Sequence, residues 1–142
     1  MNLGAHLSYL EAEFAASVAA PLSSRKAMLV AQLIDAYADR LFGAQDETDD
    51  ILVFRDLLAA RTPELAKVFG LCRGEVRLST EAMEVPIAEY GTLDVEDFMV
   101  SLYNRHTVQR VFLVLPDGSR ELVHVVLIEA IAAVRAFAPP AS

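Results

Sequence analysis

The sequence predicts an α+β fold that is predominantly helical, with an N-terminal αα-hairpin and short helices packed with a small antiparallel sheet. Two observations predict this fold class. Through the first 70 residues, apolar residues recur every three or four positions, which is typical of helices that bury one face. From about residue 75 onward, several short runs alternate apolar and polar residues, which is typical of strands.

The first two helices form the predicted hairpin. Helix one covers about Leu3–Ala20 and carries a narrow apolar stripe, and Pro21 ends it because proline lacks an amide hydrogen. Helix two begins after a capping serine, Ser23 or Ser24, and continues to about Phe42. Its apolar face is wider than the stripe on helix one. We therefore expect either the C-terminal half or another subunit to cover the remainder of that face.

Two shorter helices follow an acidic loop at residues 44–50. Helix three covers about Asp50–Ala60, where the aspartate lies at the positive end of the helix dipole. Thr62, Pro63 and Glu64 open helix four, which ends near Gly70, because proline is favoured at the first position of a helix.

The following segments are predicted as extended chain and one helix. Val76 and Leu78 indicate a short strand, and the alternation through Met83, Val85 and Ile87 indicates an edge strand, because Pro86 interrupts it. Residues 94–103 have apolar side chains at helical spacing, so we favour a helix there. A strand over residues 98–103 is the alternative.

The last elements are a hairpin and a helix. Val108–Leu115 is the best strand, residues 116–119 form a turn, and Arg120–Val125 returns as a second strand. The final helix is predicted over Val126–Phe137, and Pro139 and Pro140 end it.

Length and charge limit the classes of function. The 142 residues predict one domain, with a helical layer at 1–70 and a sheet with flanking helices at 75–138. The net charge is −8, and twelve basic residues are scattered among twenty acidic ones. Binding to nucleic acid or to an anionic membrane needs clustered cations, so we expect neither partner. The apolar runs are also too short to span a bilayer.

The single cysteine, Cys72, indicates a reducing compartment, because one thiol cannot form an intramolecular disulfide. No Lys or Arg precedes position 25, and Glu11 and Glu13 interrupt the first apolar run, so no secretory pattern is recognised. We therefore predict a cytoplasmic protein. No cofactor motif is present, and no cofactor is predicted.

Histidines are the candidate metal ligands. His106 and His124 are the two considered, although no two histidines have the close helical spacing of a zinc site. His6 is expected to lie at the boundary of the helix-one stripe.

The start of helix two is a candidate anion site. Free amide groups, two hydroxyls and two cations meet there, in Ser23, Ser24, Arg25 and Lys26. The alternative is that the two long cationic side chains are simply solvated.

Three further groups have a chemical and a structural interpretation. Asp35 and Asp39 form either an acid–base pair or a solvated polar face, and the second is favoured. The acidic loop lacks the glycine and glutamate positions of a calcium-binding EF-hand loop. Cys72 follows a helix end, where the dipole disfavours a thiolate nucleophile.

No catalytic motif is present, so the favoured function is a non-enzymatic oligomerising or protein-interaction domain, most simply a homodimer. The apolar surplus, 54% of residues, supports this prediction. The predicted interface residues are Val30, Ile34, Tyr37 and Leu41. The alternative is a small-ligand or metal-binding protein, a hydrolase among the options, whose pocket lies between the helices and the sheet with His106 or His124 at its mouth.

Overall fold

A computed structural model confirms the predominantly helical α+β fold. It describes residues 2–85, 89, 91, 93–103 and 105–137. Within these residues, six helices and three strands follow one another in the order α1 (Leu3–Ala19), α2 (Ser24–Gly43), α3 (Ile51–Arg61), α4 (Pro63–Cys72), β1 (Arg77–Glu84), α5 (Val95–Tyr103), β2 (Thr107–Val114), β3 (Arg120–Leu122) and α6 (Val123–Phe137).

Helix α2 is the centre of the fold. It contacts α1, α3, α4, α6 and β1, and its wide apolar face is buried by these elements of the same chain. The side chains of Val30, Ile34, Tyr37 and Leu41 are at most 2% exposed. The expectation that these four residues contact a partner does not fit this burial. The face is wide because several neighbours within one chain share it.

Side-chain caps begin the first three helices. The Asn2 side chain accepts a hydrogen bond from the Ala5 amide at 2.8 Å, and the Ser23 hydroxyl accepts one from the Lys26 amide at 3.1 Å. Asp50 caps α3 by accepting from the amides of the second and third residues of that helix. Each cap satisfies an amide that has no partner inside the helix. The cap of α2 is thus Ser23, and Ser24 is the first helical residue.

The three strands form one antiparallel sheet in the order β1-β2-β3. β1 pairs with β2 along its whole length, from Arg77 opposite Val114 to Glu84 opposite Thr107. A single strand thus replaces the two extended segments expected from the sequence. The predicted positions Pro86 and Ile87 lie outside the described residues.

The predicted second strand of the hairpin was wrong at its C-terminal end. β3 ends at Leu122, and α6 begins at Val123 and not at Val126. The buried residues of this segment recur at helical spacing, and this period outweighs the strand preference of its valines. They are Val123, Val126, Leu127, Ala130, Ile131 and Val134. His124 therefore lies in the first turn of a helix. The predicted stops Pro139 and Pro140 lie outside the described residues.

Residues 95–103 form a helix, so the strand alternative for residues 98–103 was wrong. The Asp94 carboxylate accepts a hydrogen bond from the Asp97 amide at 2.7 Å, as expected of a residue that precedes a helix. Among the described residues, no helix combines the length and the apolarity needed to cross a bilayer.

Replacing Ile34 with alanine tests the role of α2. Because this side chain is fully buried, we expect Ile34→Ala to lower the free energy of unfolding by about 2–5 kcal/mol. The control is Leu29→Ala on the same helix, whose side chain is 37% exposed and should cost clearly less. Urea unfolding measures both values, and equal losses would contradict the burial of the Ile34 face of α2 in the core.

Candidate functional site

The outer side of β1 is the longest open edge of the sheet. Among the described residues, β2 pairs with one side of β1 and no strand pairs with the other. β1 has eight residues, whereas β3, at the opposite edge, has three. We call the outer side of Arg77–Glu84 the β1 edge.

The ladder determines which backbone groups point outward from the β1 edge. The Val85 amide donates to the His106 carbonyl at 2.8 Å, so the odd-numbered residues of this segment direct their amides and carbonyls toward β2. Backbone direction alternates along a strand. The amides and carbonyls of Leu78, Thr80 and Ala82 therefore point away from the sheet, where another strand can bind them.

An open groove of about 600 Å³ lies beside the first half of the β1 edge. The start of α2 and the turn after α4 form one wall, and the first residues of β1 form the other. The lining residues are Ser24, Arg25, Met28, Leu71, Gly74, Val76, Arg77, Leu78, Ser79 and Thr80. Main-chain binding groups and a partly apolar groove thus lie next to each other.

The structure divides the four residues of the predicted anion site. Ser24 and Arg25 line the groove beside β1. Ser23, Lys26 and again Arg25 line a second depression that also contains Glu13. Because the Ser23 hydroxyl caps the Lys26 amide and a carboxylate lies in the same depression, this arrangement does not favour a bound anion.

Helix α5 carries a second exposed surface. Its Val95 and Tyr103 side chains are 80% and 83% exposed, and Met99, Val100 and Leu102 are also exposed. The helix is fixed to the sheet by the ion pair between Asp97 and Arg110, at 2.8 Å. This apolar surface is a rival candidate for an interaction site.

The two predicted metal ligands lie on different elements. His106 precedes β2, whereas His124 lies in the first turn of α6. In the described part of the chain, no group of three or more His, Cys, Asp and Glu side chains has the arrangement of a metal site.

Ser17 and His124 form a contact that the sequence did not predict. The Ser17 hydroxyl and the His124 Nε2 lie 2.9 Å apart, within reach for a nucleophile and its base. However, Ser17 is fully buried, and the charged group that acts on His124 is the Arg110 cation. Burial and this cation lower the pKa of His124. The pair therefore serves to join α1 and α6.

His6 is buried between α1 and α2. The sequence suggested a position at the boundary of the helix-one stripe, and the structure does not place it there. Its Nε2 donates to the Leu33 carbonyl at 3.0 Å, and its ring packs edge-on against Tyr37. The Nδ1 atom is buried without a hydrogen-bond partner in the described structure. Since the polar contact of the ring within the described residues is a backbone carbonyl of the neighbouring helix, the ring acts as a link between the two helices.

Asp35 and Asp39 share one cation, and the Asp39 side chain remains 54% exposed, as expected of a polar face. Arg55 of α3 donates to both carboxylates, at 2.9 Å in the case of Asp39, and its guanidinium lies 4.2 Å from the centre of the Phe69 ring. This cluster joins α2, α3 and α4. No local pattern marked it, because the arginine is 16 and 20 residues from its partners.

Cys72 lies close to this cluster and is not an activated nucleophile. Burial and the negative charge of Asp35 raise the pKa of its thiol to about 11, although Arg55 and Arg73 oppose that shift. The thiol therefore stays protonated at neutral pH, in agreement with its place at the C-terminal end of α4.

A pocket of about 260 Å³ lies between the acidic loop, α3 and the end of α6. Gln45 shapes the loop, because its side chain bonds to the backbone of residues 42, 47 and 48. The Arg61 guanidinium at this pocket lies over the Phe137 ring. Neither His106 nor His124 lines this pocket or the groove beside β1.

The raised pKa of Cys72 predicts a pH dependence of stability. The folded thiol keeps its proton to about pH 11, whereas an unfolded thiol loses it near pH 9, so its contribution is present below pH 9 and is lost between pH 9 and 11. Cys72→Ala should therefore show a smaller loss of unfolding free energy over this range than the wild type. Urea unfolding at several pH values under reducing conditions measures it. Parallel pH curves would contradict the shift.

The Arg55 cluster predicts an unequal effect of two substitutions. Arg55→Met keeps an apolar stem but leaves two carboxylates without their cation, and we expect it to cost about 1–2 kcal/mol of unfolding free energy. Asp39→Asn removes only the more exposed partner and should cost about 0.5 kcal/mol or less. Thermal and urea unfolding measure both, and a smaller loss in Arg55→Met would contradict the cluster.

Comparison of the chain with protein-family models, with curated proteins and with solved structures finds no match.

Proposed function

We propose that this protein is a non-enzymatic interaction protein that forms a homodimer by pairing the β1 edges of two copies. The observation that carries the proposal is the β1 edge itself. Eight residues of regular strand have no partner strand on this side among the described residues, and Leu78, Thr80 and Ala82 direct hydrogen-bonding groups outward.

Edge strands of this kind bind other strands unless something prevents it. β1 contains no proline and no glycine, and it pairs with β2 in unbroken register. Of the devices that usually protect an edge, β1 has charged side chains, at Arg77, Glu81 and Glu84, but it has no bulge and is not a very short strand. Strand addition is also a frequent mode of protein recognition, in which the main chain supplies the affinity.

A second copy is the simplest partner for this edge. In a two-fold dimer the same surface serves both subunits, so one antiparallel pairing satisfies both open edges at once. Two three-stranded sheets would then form one sheet of six strands. The state of the two candidate nucleophiles supports a function without catalysis, since the Ser17 hydroxyl is buried and the Cys72 thiol stays protonated.

We also propose a cytoplasmic location, for which the lone cysteine is the support. The excess of carboxylates supports the absence of nucleic-acid partners.

Thr80→Pro tests the proposal, because it removes an amide that points outward. Proline is tolerated at an edge where its missing amide faces solvent, so the β1–β2 ladder should remain intact. Each copy would lose one intermolecular hydrogen bond and meet the proline ring, which should weaken the dimer about tenfold or more. Analytical ultracentrifugation over a concentration series measures the dissociation constant.

The matched control is Thr80→Val, which keeps the amide and the shape of the side chain. A second comparison is Val95→Ser with Tyr103→Ser, which makes the α5 surface polar. Loss of the dimer in Thr80→Pro alone supports the β1 edge. A monomeric wild type, or loss of the dimer in the α5 variant alone, would contradict it.

A further inference from the structure

The direction of side chains limits how two β1 strands can pair. Around a two-fold axis perpendicular to the sheet, residues opposite each other lie on the same face of the sheet. One residue must therefore lie on the axis, opposite its own copy. The candidates within the middle of β1 are Ser79, Thr80 and Glu81.

The charges of β1 distinguish these three registers. An axis at Glu81 would place two carboxylates opposite each other, which is destabilising. An axis at Thr80 would place Arg77 opposite Met83. An axis at Ser79 would place Arg77 of each copy opposite Glu81 of the other copy.

We infer that the two-fold axis of the dimer passes through Ser79, so that two Arg77–Glu81 pairs between the copies fix the register. This inference rests on the proposed self-association and identifies its specificity-determining residues. In this register Leu78 and Thr80 of the two copies exchange main-chain hydrogen bonds, as their outward direction requires. The Arg77–Glu81 pairs then occupy non-hydrogen-bonded positions, where opposite side chains approach most closely.

The groove beside β1 agrees with the same register. It lies along residues 76–80, toward the start of the strand and away from Glu84. When the axis passes through Ser79, Leu78 lies opposite Thr80 of the second copy, and Val76 lies opposite Ala82 of the second copy. Leu78 packs against the main core, so these positions belong to the face that α2 and the groove occupy. The incoming side chains are small enough for an open groove.

Glu81 is already held in position for this contact. The Arg120 Nε atom lies 2.6 and 2.8 Å from its two carboxylate oxygens, and Ser79 also bonds to it. A carboxylate can accept about four hydrogen bonds, so it can bind a second guanidinium. Arg77 is exposed and belongs to the same face of the sheet as Glu81. A pre-oriented carboxylate loses little conformational entropy when Arg77 of the other copy binds.

Arg77→Glu tests the register against a matched charge change. It would place two carboxylates opposite each other at both ends of the contact, and we expect the dissociation constant of the dimer to rise at least about tenfold. Arg73→Glu alters the net charge equally but lies outside β1, in the turn where Arg73 pairs with Glu75 at 3.2 Å. It should change the constant less than about threefold.

A mixing experiment tests the pair directly. Arg77→Glu and Glu81→Arg each create like-charge pairs in their own homodimers, whereas a mixed dimer pairs opposite charges at both positions. Native mass spectrometry of an equal mixture should therefore show the heterodimer well above the statistical half of all dimers. The Glu81→Arg chain loses its contact with Arg120 whether it pairs with itself or with the Arg77→Glu chain. This loss therefore does not create the preference for the heterodimer.

The outcomes separate the two proposals. Two results together support the Ser79 register: the mixture prefers the heterodimer, and the Arg77→Glu dimer dissociates more readily than the Arg73→Glu dimer. Statistical mixing with equal effects of the two arginine variants overturns the register, while loss of the dimer in Thr80→Pro would leave the proposed function intact. A wild type that is monomeric over the whole concentration series overturns both.

Discussion

The burial of the wide apolar face of α2 is the constraint on which the rest of the fold depends. A face this wide cannot be covered by one helix, so α1, α4 and α6 surround it and the sheet closes the remainder. Polar contacts then fix the helices that surround it. His6 links α1 to α2 through the Leu33 carbonyl, and Arg55 joins α3 to two carboxylates of α2. Since the chain completes this core by itself, any partner must bind elsewhere.

Local patterns were sufficient to predict most of the elements. The helical period located α1 through α5, and the strand Val108–Leu115 agrees with β2 within one residue at each end. The boundary between β3 and α6 failed because valines favour strands locally, whereas burial against α2 favours a helix. The two segments around residues 76 and 85 were also separated wrongly, since pairing with β2 joins them into one strand.

The candidate sites were harder to predict because they depend on contacts between distant parts of the chain. Tyr37 and Leu41 were predicted as interface anchors from their apolar face alone. The sequence left open whether the C-terminal half or another subunit covers that face, and α4 and α6 cover it. The Ser17–His124 contact spans 107 residues. The β1 edge was missed for a related reason. A strand becomes an edge through its position in the sheet order, and the sequence pattern of β1 does not reveal that position.

The same core explains why an edge is available for pairing. Helices α2 and α6 contact the sheet on the side of the core and α5 contacts β2, while no strand among the described residues pairs with the outer side of β1. Main-chain groups alone would bind any strand, in any register. The order of charges in β1, with Arg77 on one side of Ser79 and Glu81 on the other, is complementary to itself when the strand is reversed. In the proposed dimer, an edge with this order favours its own copy over other strands, because a mismatched strand would place like charges opposite each other or leave Arg77 without a carboxylate on the partner strand.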